Sequence, residues 1–300
     1  MTKNTDNPLV VMVVLNWNNF EDTKNAIKSL KNVGYSNKEI LLVDNGSTDN
    51  SGTRLKNIFP NIHFIKNKTN KGYAGGNNVG IVRSIEMNAD YILVMNNDIT
   101  VDSSFLQPLV DIAEDEDKIG MVNPAVYYAK EPNKLQSFGG VIDFWKGNSP
   151  LIDRSNFVEG KAEIPSYTPV DRVNGACFLV KAELIESIGP FDESYFLLWE
   201  DVELSQRARE FGYRVVSARN SKVFHKVNAS FEKCSKERQY YAWRNRLNFM
   251  KDYGSFYFYP TFIIFFLGGL IKTVLKCYFN QKGDTIKSIL SSSLKGIKDA

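Results

Sequence analysis

A 300-residue chain with 43% hydrophobic and 24% charged residues has ordinary globular composition, which excludes disordered and collagen-like classes. The length suits one large α/β domain with an appendage, or two small domains. A net charge of +3 is too small to argue for a nucleic-acid partner, and none is expected.

The first eight residues are polar and lack the apolar core of a signal peptide. Residues 10–15 form a continuous β-branched and apolar run, the mark of a strand buried on both faces. Residues 21–33 carry Ala26, Ile27 and Leu30 at helical spacing, with Gly34 as a stop. Residues 40–43 and 62–65 read as further strands, 76–87 as a helix and 91–95 as another buried strand. This alternation predicts a mostly parallel sheet with helices on both faces, and such sheets bind ligands beyond the carboxyl ends of their strands.

Beyond residue 119 the pattern loosens into short strands and polar loops, with Gly139-Gly140 and a flexible stretch over 146–169. Residues 173–180 read as a strand and 200–211 as a helix closed by Gly212; 213–217 and 221–225 read as two short strands. A basic, aromatic helix over 233–252 leads into an apolar segment at 256–271. The reading divides the chain near Phe231, into residues 1–231 (halves 1–118 and 119–231) and a helical extension, 232–300. Cys177, Cys234 and Cys277 stand in no metal-ligand or redox spacing, which reads as reduced thiols in a cytosolic compartment.

The apolar segment is somewhat short for a spanning helix and contains Pro260. With Lys272, Lys276, Lys282 and Lys287 after it, an interfacial or re-entrant segment at anionic cytoplasmic headgroups is expected. A buried core helix or a dimer contact is the alternative.

Polar clusters follow three of the strands: Asn16-Trp17-Asn18-Asn19, Asp44-Asn45-Gly46-Ser47-Thr48-Asp49 and Asn96-Asn97-Asp98. Any one alone is an ordinary turn. Three at successive carboxyl ends point to one ligand-binding edge, where the Asp98 carboxylate could hold a hard cation against phosphates. The stretch Asn70-Lys71-Gly72-Tyr73-Ala74-Gly75-Gly76-Asn77-Asn78 reads as a glycine-rich loop before a helix, able to bring backbone close to a ligand, or else as a plain connector. In Trp199-Glu200-Asp201-Val202-Glu203-Leu204, Asp201 lies on the inward side of a first helical turn, as a general base for a hydroxyl requires. Helix capping with a surface Glu203–Arg207 ion pair is the plainer reading. His225, at a strand end, is a metal ligand, a phosphate donor or a simple terminus.

Together these clusters resemble the family 2 glycosyltransferases of the GT-A fold. The likeness runs from about residue 10 to His225 and adds Asn174-Gly175-Ala176, Gly189-Pro190-Phe191-Asp192 and Tyr240-Tyr241-Ala242-Trp243-Arg244-Asn245-Arg246. It implies that Asp44 reads a pyrimidine N3–H, with Asn16 and Trp17 alongside. Asp98 and His225 would hold Mg²⁺ or Mn²⁺ on the diphosphate of a nucleotide sugar. Asp201 would deprotonate the acceptor and invert the anomeric carbon. Gly75, Asn77, Asn96, Asn97, Trp199 and Glu200 would line the substrates. Asn96 stands where the family's commonest Asp-x-Asp triplet has its first acid, which predicts weaker metal binding. The Asn-Asn-Asp triplet is most similar to the rhamnosyltransferase-like branch, whose donors are often thymidine-diphosphate sugars. With the apolar segment, the implied acceptor is a glycan, in particular a polyprenyl-linked one, at the cytoplasmic face of the cell membrane. Competing readings are a non-catalytic nucleotide-sugar-binding module, a membrane scaffold, and a nucleotidyltransferase; the last normally has a glycine-rich, basic loop where residues 16–20 have neither.

Overall fold

The computed structural model describes residues 7–153, 166–226, 235–279 and 283–298. Phe231, Cys234, Lys282 and residues 154–165 of the expected flexible stretch lie outside them.

The apolar runs form one mixed sheet. Strands β1 (Val10–Asn16), β2 (Lys38–Asp44), β3 (His63–Lys66) and β4 (Tyr91–Asn96) are parallel, in the order β3-β2-β1-β4. Helices α1 (Phe20–Lys31), α2 (Ser51–Ile58) and α3 (Gly72–Glu86) connect them. Val10 to Val14 are fully buried because helices cover both faces of the sheet. The chain order reverses around β1, with β2 on one side and β4 on the other, which opens a crevice at the carboxyl ends.

The second half departs from the expected parallel pattern. β6 (Ile119–Tyr128) and β10 (Arg214–His225) run parallel to each other, but β9 (Cys177–Lys181) is inserted antiparallel between β4 and β6. The edges β5 (Ile99–Val101), β7 (Glu131–Ser137) and β8 (Tyr167–Pro169) are also antiparallel. The two short strands expected at 213–225 are one strand, β10, with an irregularity between Ser217 and Lys222. Residues 173–176, expected to start β9, form the loop before it.

The glycine-rich segment is not a loop: α3 begins at Gly72 and contains it. The reason is a close approach to the sheet. A Cβ on Gly80 would lie 2.3 Å from Val13 Cγ1, and one on Gly76 would lie 2.8 Å from Leu15 Cδ1. The glycines let the helix axis sit against β1, which aims its N-terminus at the crevice.

After α4 (Leu106–Asp115), α5 (Ala182–Ile188) and α6 (Glu200–Glu210) come α7 (Lys236–Tyr253), α8 (Tyr259–Phe279) and α9 (Gly283–Lys298). These last three share a small core of Trp243, Met250, Phe262, Phe266, Cys277 and Ile289. α8 runs through Pro260 in its first turn, where the missing N–H costs nothing. Its 21 residues span about 31 Å. The stretch from Phe256 to Phe279 is therefore long and apolar enough to cross a membrane, longer than the short segment expected. Phe262, Phe266 and Cys277 face α7 and α9, while Ile263, Ile264, Leu267, Ile271 and Leu275 are exposed. The helix is thus apolar on both its packed and its open side.

Candidate active site

Three of the clusters meet at the crevice, joined by side-chain hydrogen bonds. Asn16 ends β1 fully buried, and its Nδ2, with two hydrogens to donate, lies within hydrogen-bonding distance of Asp44 Oδ1 (3.0 Å), Ser51 Oγ (2.9 Å) and Ser47 Oγ (3.1 Å). Its Oδ1 accepts from Thr23 Oγ1 at 2.8 Å, and Thr23 Oγ1 in turn accepts from Asn97 Nδ2 at 2.9 Å. A continuous path therefore runs from the Asn96-Asn97-Asp98 turn to the Asp44 carboxylate. Asn16 is placed inside this network, fully buried, with its amide directed at Asp44.

Asp44 Oδ2 is buried and has no partner among the described residues. An unsatisfied buried acceptor costs about 1–3 kcal/mol, and more for a charged group, so it fits a site waiting for a donor such as an imide N–H. Gly52 makes room for this carboxylate: a Cβ there would fall 2.3 Å from Asp44 Oδ2. Trp17, next after Asn16 along the chain, is 53% exposed.

At the other end of the path, Asp98 Oδ1 and His225 Nε2 are 3.1 Å apart, both largely buried. β10 pairs antiparallel with β5 so that His225 lies opposite Ile99, which brings the strand-end histidine to the turn. His225 Nδ1 donates to Gln136 Oε1 at 2.9 Å, because a carbonyl oxygen can only accept. That bond fixes the ring and leaves Nε2 toward Asp98. A carboxylate oxygen and an imidazole nitrogen suit Mn²⁺ or Mg²⁺, and 3.1 Å is close to the roughly 3.0 Å between adjacent ligands on an octahedral cation with bonds near 2.1 Å. No group of three or more His, Cys, Asp or Glu occurs among the described residues, so Asp98 and His225 are the acidic and imidazole part of any such site and not a complete set of ligands. Asn96 donates its backbone N–H to Ala176 O at 2.8 Å and is half-buried beside this pair.

Asn77 is turned into the fold: it is fully buried, donates to Tyr73 O at 3.0 Å, and its Oδ1 has no partner among the described residues. Gly75 faces Lys71 and Glu193. Neither lies on an open loop as expected, since both belong to α3.

The acid pair of α6 is presented by a strained backbone elbow. Phe196, Leu198 and Trp199 all have positive φ, at 42°, 67° and 74°. Such conformations cost non-glycine residues about 1–3 kcal/mol each and concentrate at functional sites. Asp201 sits in the first turn of α6, where its Oδ1 accepts from Val202 N–H (2.9 Å). Its Oδ2 accepts from Gly175 N–H (2.8 Å) and from Arg172 Nη1 (2.9 Å). A carboxylate has about four acceptor positions, so one remains. Arg172 is buried and is also anchored to Ser149 O and Val173 O.

Glu200 is buried with Oε2 unpartnered among the described residues, and its carboxyl is pushed up to about 8, by burial first and by the neighbouring Asp201 charge second. The two adjacent acids therefore differ: Asp201 is tied to a guanidinium, while burial and the Asp201 charge favour the neutral form of Glu200. Tyr73 O–H donates to Gly175 O at 2.5 Å, and its phenol is raised by burial and by the charges of Glu200 and Asp201.

The expected surface pair is also different in kind. Glu203 is buried, binds Arg207 through both oxygens at 2.8 Å, and accepts from Tyr253 O–H of α7 at 2.7 Å. Gln136, Arg172 and Tyr253 carried no local motif, and Tyr73 was read only as part of the glycine-rich stretch; each meets its partner across 50 or more residues or through a loop contact.

Residues 10–173 match the Glycosyl transferase family 2 profile, which is more than half of the chain. A low-salt glycan biosynthesis hexosyltransferase of Haloferax volcanii is 26% identical over 297 residues, covering 96% of this chain and 91% of that one. An N-acetylglucosaminyl-diphospho-decaprenol L-rhamnosyltransferase of Mycobacterium tuberculosis is 28% identical over 206 residues, 62% of this chain and 66% of its own. Among solved structures, the mannosyltransferase PcManGT of Pyrobaculum calidifontis, in complex with GDP-Man and Mn²⁺, superposes with a TM-score of 0.58 at 14% identity. It covers 98% of this chain and 88% of that one. GalNAc-T7 with UDP, GalNAc and Mn²⁺ gives 0.67 at 15% identity, over 85% of this chain and 50% of that one. The fold is GT-A, and with the profile match covering more than half of its residues, the chain belongs to glycosyl transferase family 2.

Proposed function

We propose that the chain transfers a sugar from a nucleoside-diphosphate donor to a hydroxyl of a membrane-borne glycan, with inversion and with a divalent cation. The observation that carries this reading is the convergence at one sheet edge of the unpaired Asp44 oxygen, the Asp98–His225 pair and the Glu200–Asp201 pair. Asp44 accepts the imide N–H of a pyrimidine while Trp17 covers the ring face. Asp98 and His225 would hold Mg²⁺ or Mn²⁺, which supplies positive charge for the departing diphosphate. Asp201 takes the proton of the attacking hydroxyl, and Arg172 steadies its carboxylate through the same oxygen that meets Gly175 N–H. Neutral Glu200 donates a hydrogen bond to the acceptor. Residues 1–231 make up the catalytic domain in this reading, and residues 232–300 the extension.

The open face of α8 supports a bilayer contact. So does the exposed rim of Trp145, Phe256 and Tyr257, where Trp145 packs edge-on against Phe258. A lipid-linked acceptor at the cytoplasmic face would then present its hydroxyls beside the crevice. The L-rhamnosyltransferase relative, whose name carries a decaprenyl-linked sugar, favours that acceptor class, and the resemblance of the Asn96-Asn97-Asp98 triplet to the rhamnosyltransferase-like branch favours a thymidine-diphosphate donor.

The test is thermal stability with UDP, TDP and GDP, each with and without Mn²⁺, since a ligand that binds only the folded chain raises the midpoint. A cation-dependent rise with one pyrimidine diphosphate is expected. No rise with any of them, at concentrations far above micromolar, would turn the reading toward a scaffold.

A further inference from the structure

We propose, on the reading of Asp201 as the base, that Asn245 of the C-terminal extension is a positioning residue for Glu200 and Asp201. The elbow before α6 has three non-glycine residues at positive φ, and a free chain would relax out of it. Its carbonyls are all held. Tyr195, Leu197 and Leu198 O surround a single side-chain amide, Asn245 Nδ2, at 2.7, 3.0 and 2.6 Å and share its two hydrogens. Phe196 O accepts from the N–H of Tyr73 at the start of α3, and Trp199 O from Glu203 N–H inside α6.

Asn245 lies on α7 and is fully buried. Its own orientation is fixed, because Arg244 Nε donates to Asn245 Oδ1 at 2.9 Å, which turns the NH₂ group toward the elbow. Arg244 also donates to Ser194 O, and Tyr241 stacks on Phe196 with ring centroids 5.0 Å apart. The next residue reaches a different part of the catalytic half: Arg246 donates to Gly147 O and Lys146 O, both at 2.5 Å. The Arg244-Asn245-Arg246 run thus grips two segments that flank the acceptor side. The extension is a structural half of the acid–base site as well as an anchor. Removing the helices would release the elbow, and Glu200 and Asp201 with it.

Full-length protein in detergent micelles, wild type against Asn245→Ala and Asn245→Leu, tests this by hydrogen exchange and by turnover. Backbone amides of residues 195–203 are expected to exchange about tenfold faster or more in both variants, with β1 and β4 unchanged. Binding of UDP with Mn²⁺ is expected to stay within about twofold, while kcat for whichever sugar nucleotide the wild type consumes falls about thirtyfold at unchanged donor KM. If neither variant accumulates, Asn245→Ser keeps a hydroxyl donor for one carbonyl and is expected to open the elbow part-way. Unchanged exchange at 195–203, or equal acceleration in β1 and β4, overturns the proposal, since the second result would make Asn245 a general prop of the fold. A wild type that consumes no sugar nucleotide would sink the transferase reading instead, while the exchange data still decide the clamp.

Discussion

Gln136 and His225 lie on strands β7 and β10, separated by β6, yet the amide oxygen of one accepts the Nδ1–H of the other at 2.9 Å. The bond leaves Nε2 as the only ring atom facing Asp98. Ligand histidines held in this way lose about 10–100-fold in metal affinity when the holding group is removed. Gln136→Ala is therefore expected to weaken Mn²⁺ binding in the presence of UDP by that factor, measured by calorimetry. Gln136→Glu, which keeps the acceptor, is expected to restore most of it. Equal affinities in wild type and Gln136→Ala would remove His225 from the cation site.

Asn96 offers a neutral carbonyl oxygen at the place where an acid would add a charge. Asn96→Asp is expected to tighten Mn²⁺ about tenfold, since a carboxylate beside a hard cation is the stronger ligand. A titration of Mn²⁺ against the UDP-bound protein checks the sign, and weaker binding would mean that Asn96 is turned away from the cation.

Glu200 links pH to stability. Its folded-state value is raised to about 8 from an ordinary 4.5, chiefly by burial. The folded chain thus holds a proton that the unfolded chain has released. The favourable state is complete below about 4.5 and is lost as pH rises through about 8. The melting temperature should fall across that window, and Glu200→Gln, which keeps the neutral shape, should flatten the fall. Melting curves of the two proteins from pH 5 to 9 decide it; parallel curves would show that Glu200 does not titrate there.

Gly52 has no room for a methyl group beside Asp44. Gly52→Ala should displace the carboxylate, costing about 1–3 kcal/mol of stability as overpacking and removing pyrimidine-nucleotide binding. Chemical denaturation and UDP calorimetry measure the two effects separately. UDP bound as tightly as in wild type would show that Asp44 Oδ2 does not read the base.

Ile264 and Leu267 lie on the open side of α8. Replacing both with Asp should lower partition onto anionic vesicles by about tenfold per residue, from the apolar burial each side chain forfeits. Flotation assays give the number, and undiminished flotation would move the bilayer contact elsewhere.

The crevice was legible because β1, β2 and β4 are buried on both faces, so their apolar runs stop abruptly where the chain meets solvent and ligand. Asn16, Asp44 and Asp98 stand at those stops. What the sequence concealed is of two kinds. The start of α3 was hidden because Gly72, Gly75 and Gly76 read locally as a loop, whereas the close approach that calls for glycine, Gly76 on Leu15 and Gly80 on Val13, is to another element. The holding contacts of Gln136, Arg172 and Asn245 were hidden because each partner lies far along the chain; Asn245 stands in a stretch that carries the family resemblance, but the stretch does not say what it touches. Asn245 meets the elbow carbonyls across about fifty residues of chain. No periodicity or motif announces a contact of that range.

The glycine stripe of α3 also bears on the order of folding. Each interior glycine lowers intrinsic helicity by about 1 kcal/mol, so Gly75, Gly76 and Gly80 leave this segment with little tendency to coil alone. It becomes helical only once β1 offers Val13 and Leu15 as a bed, which requires β1 to have paired already with β2 or β4. The helix whose first turn holds the elbow through Tyr73 is then a late element of folding. A chain arrested before that step would carry a nearly complete sheet with its ligand-binding edge uncovered.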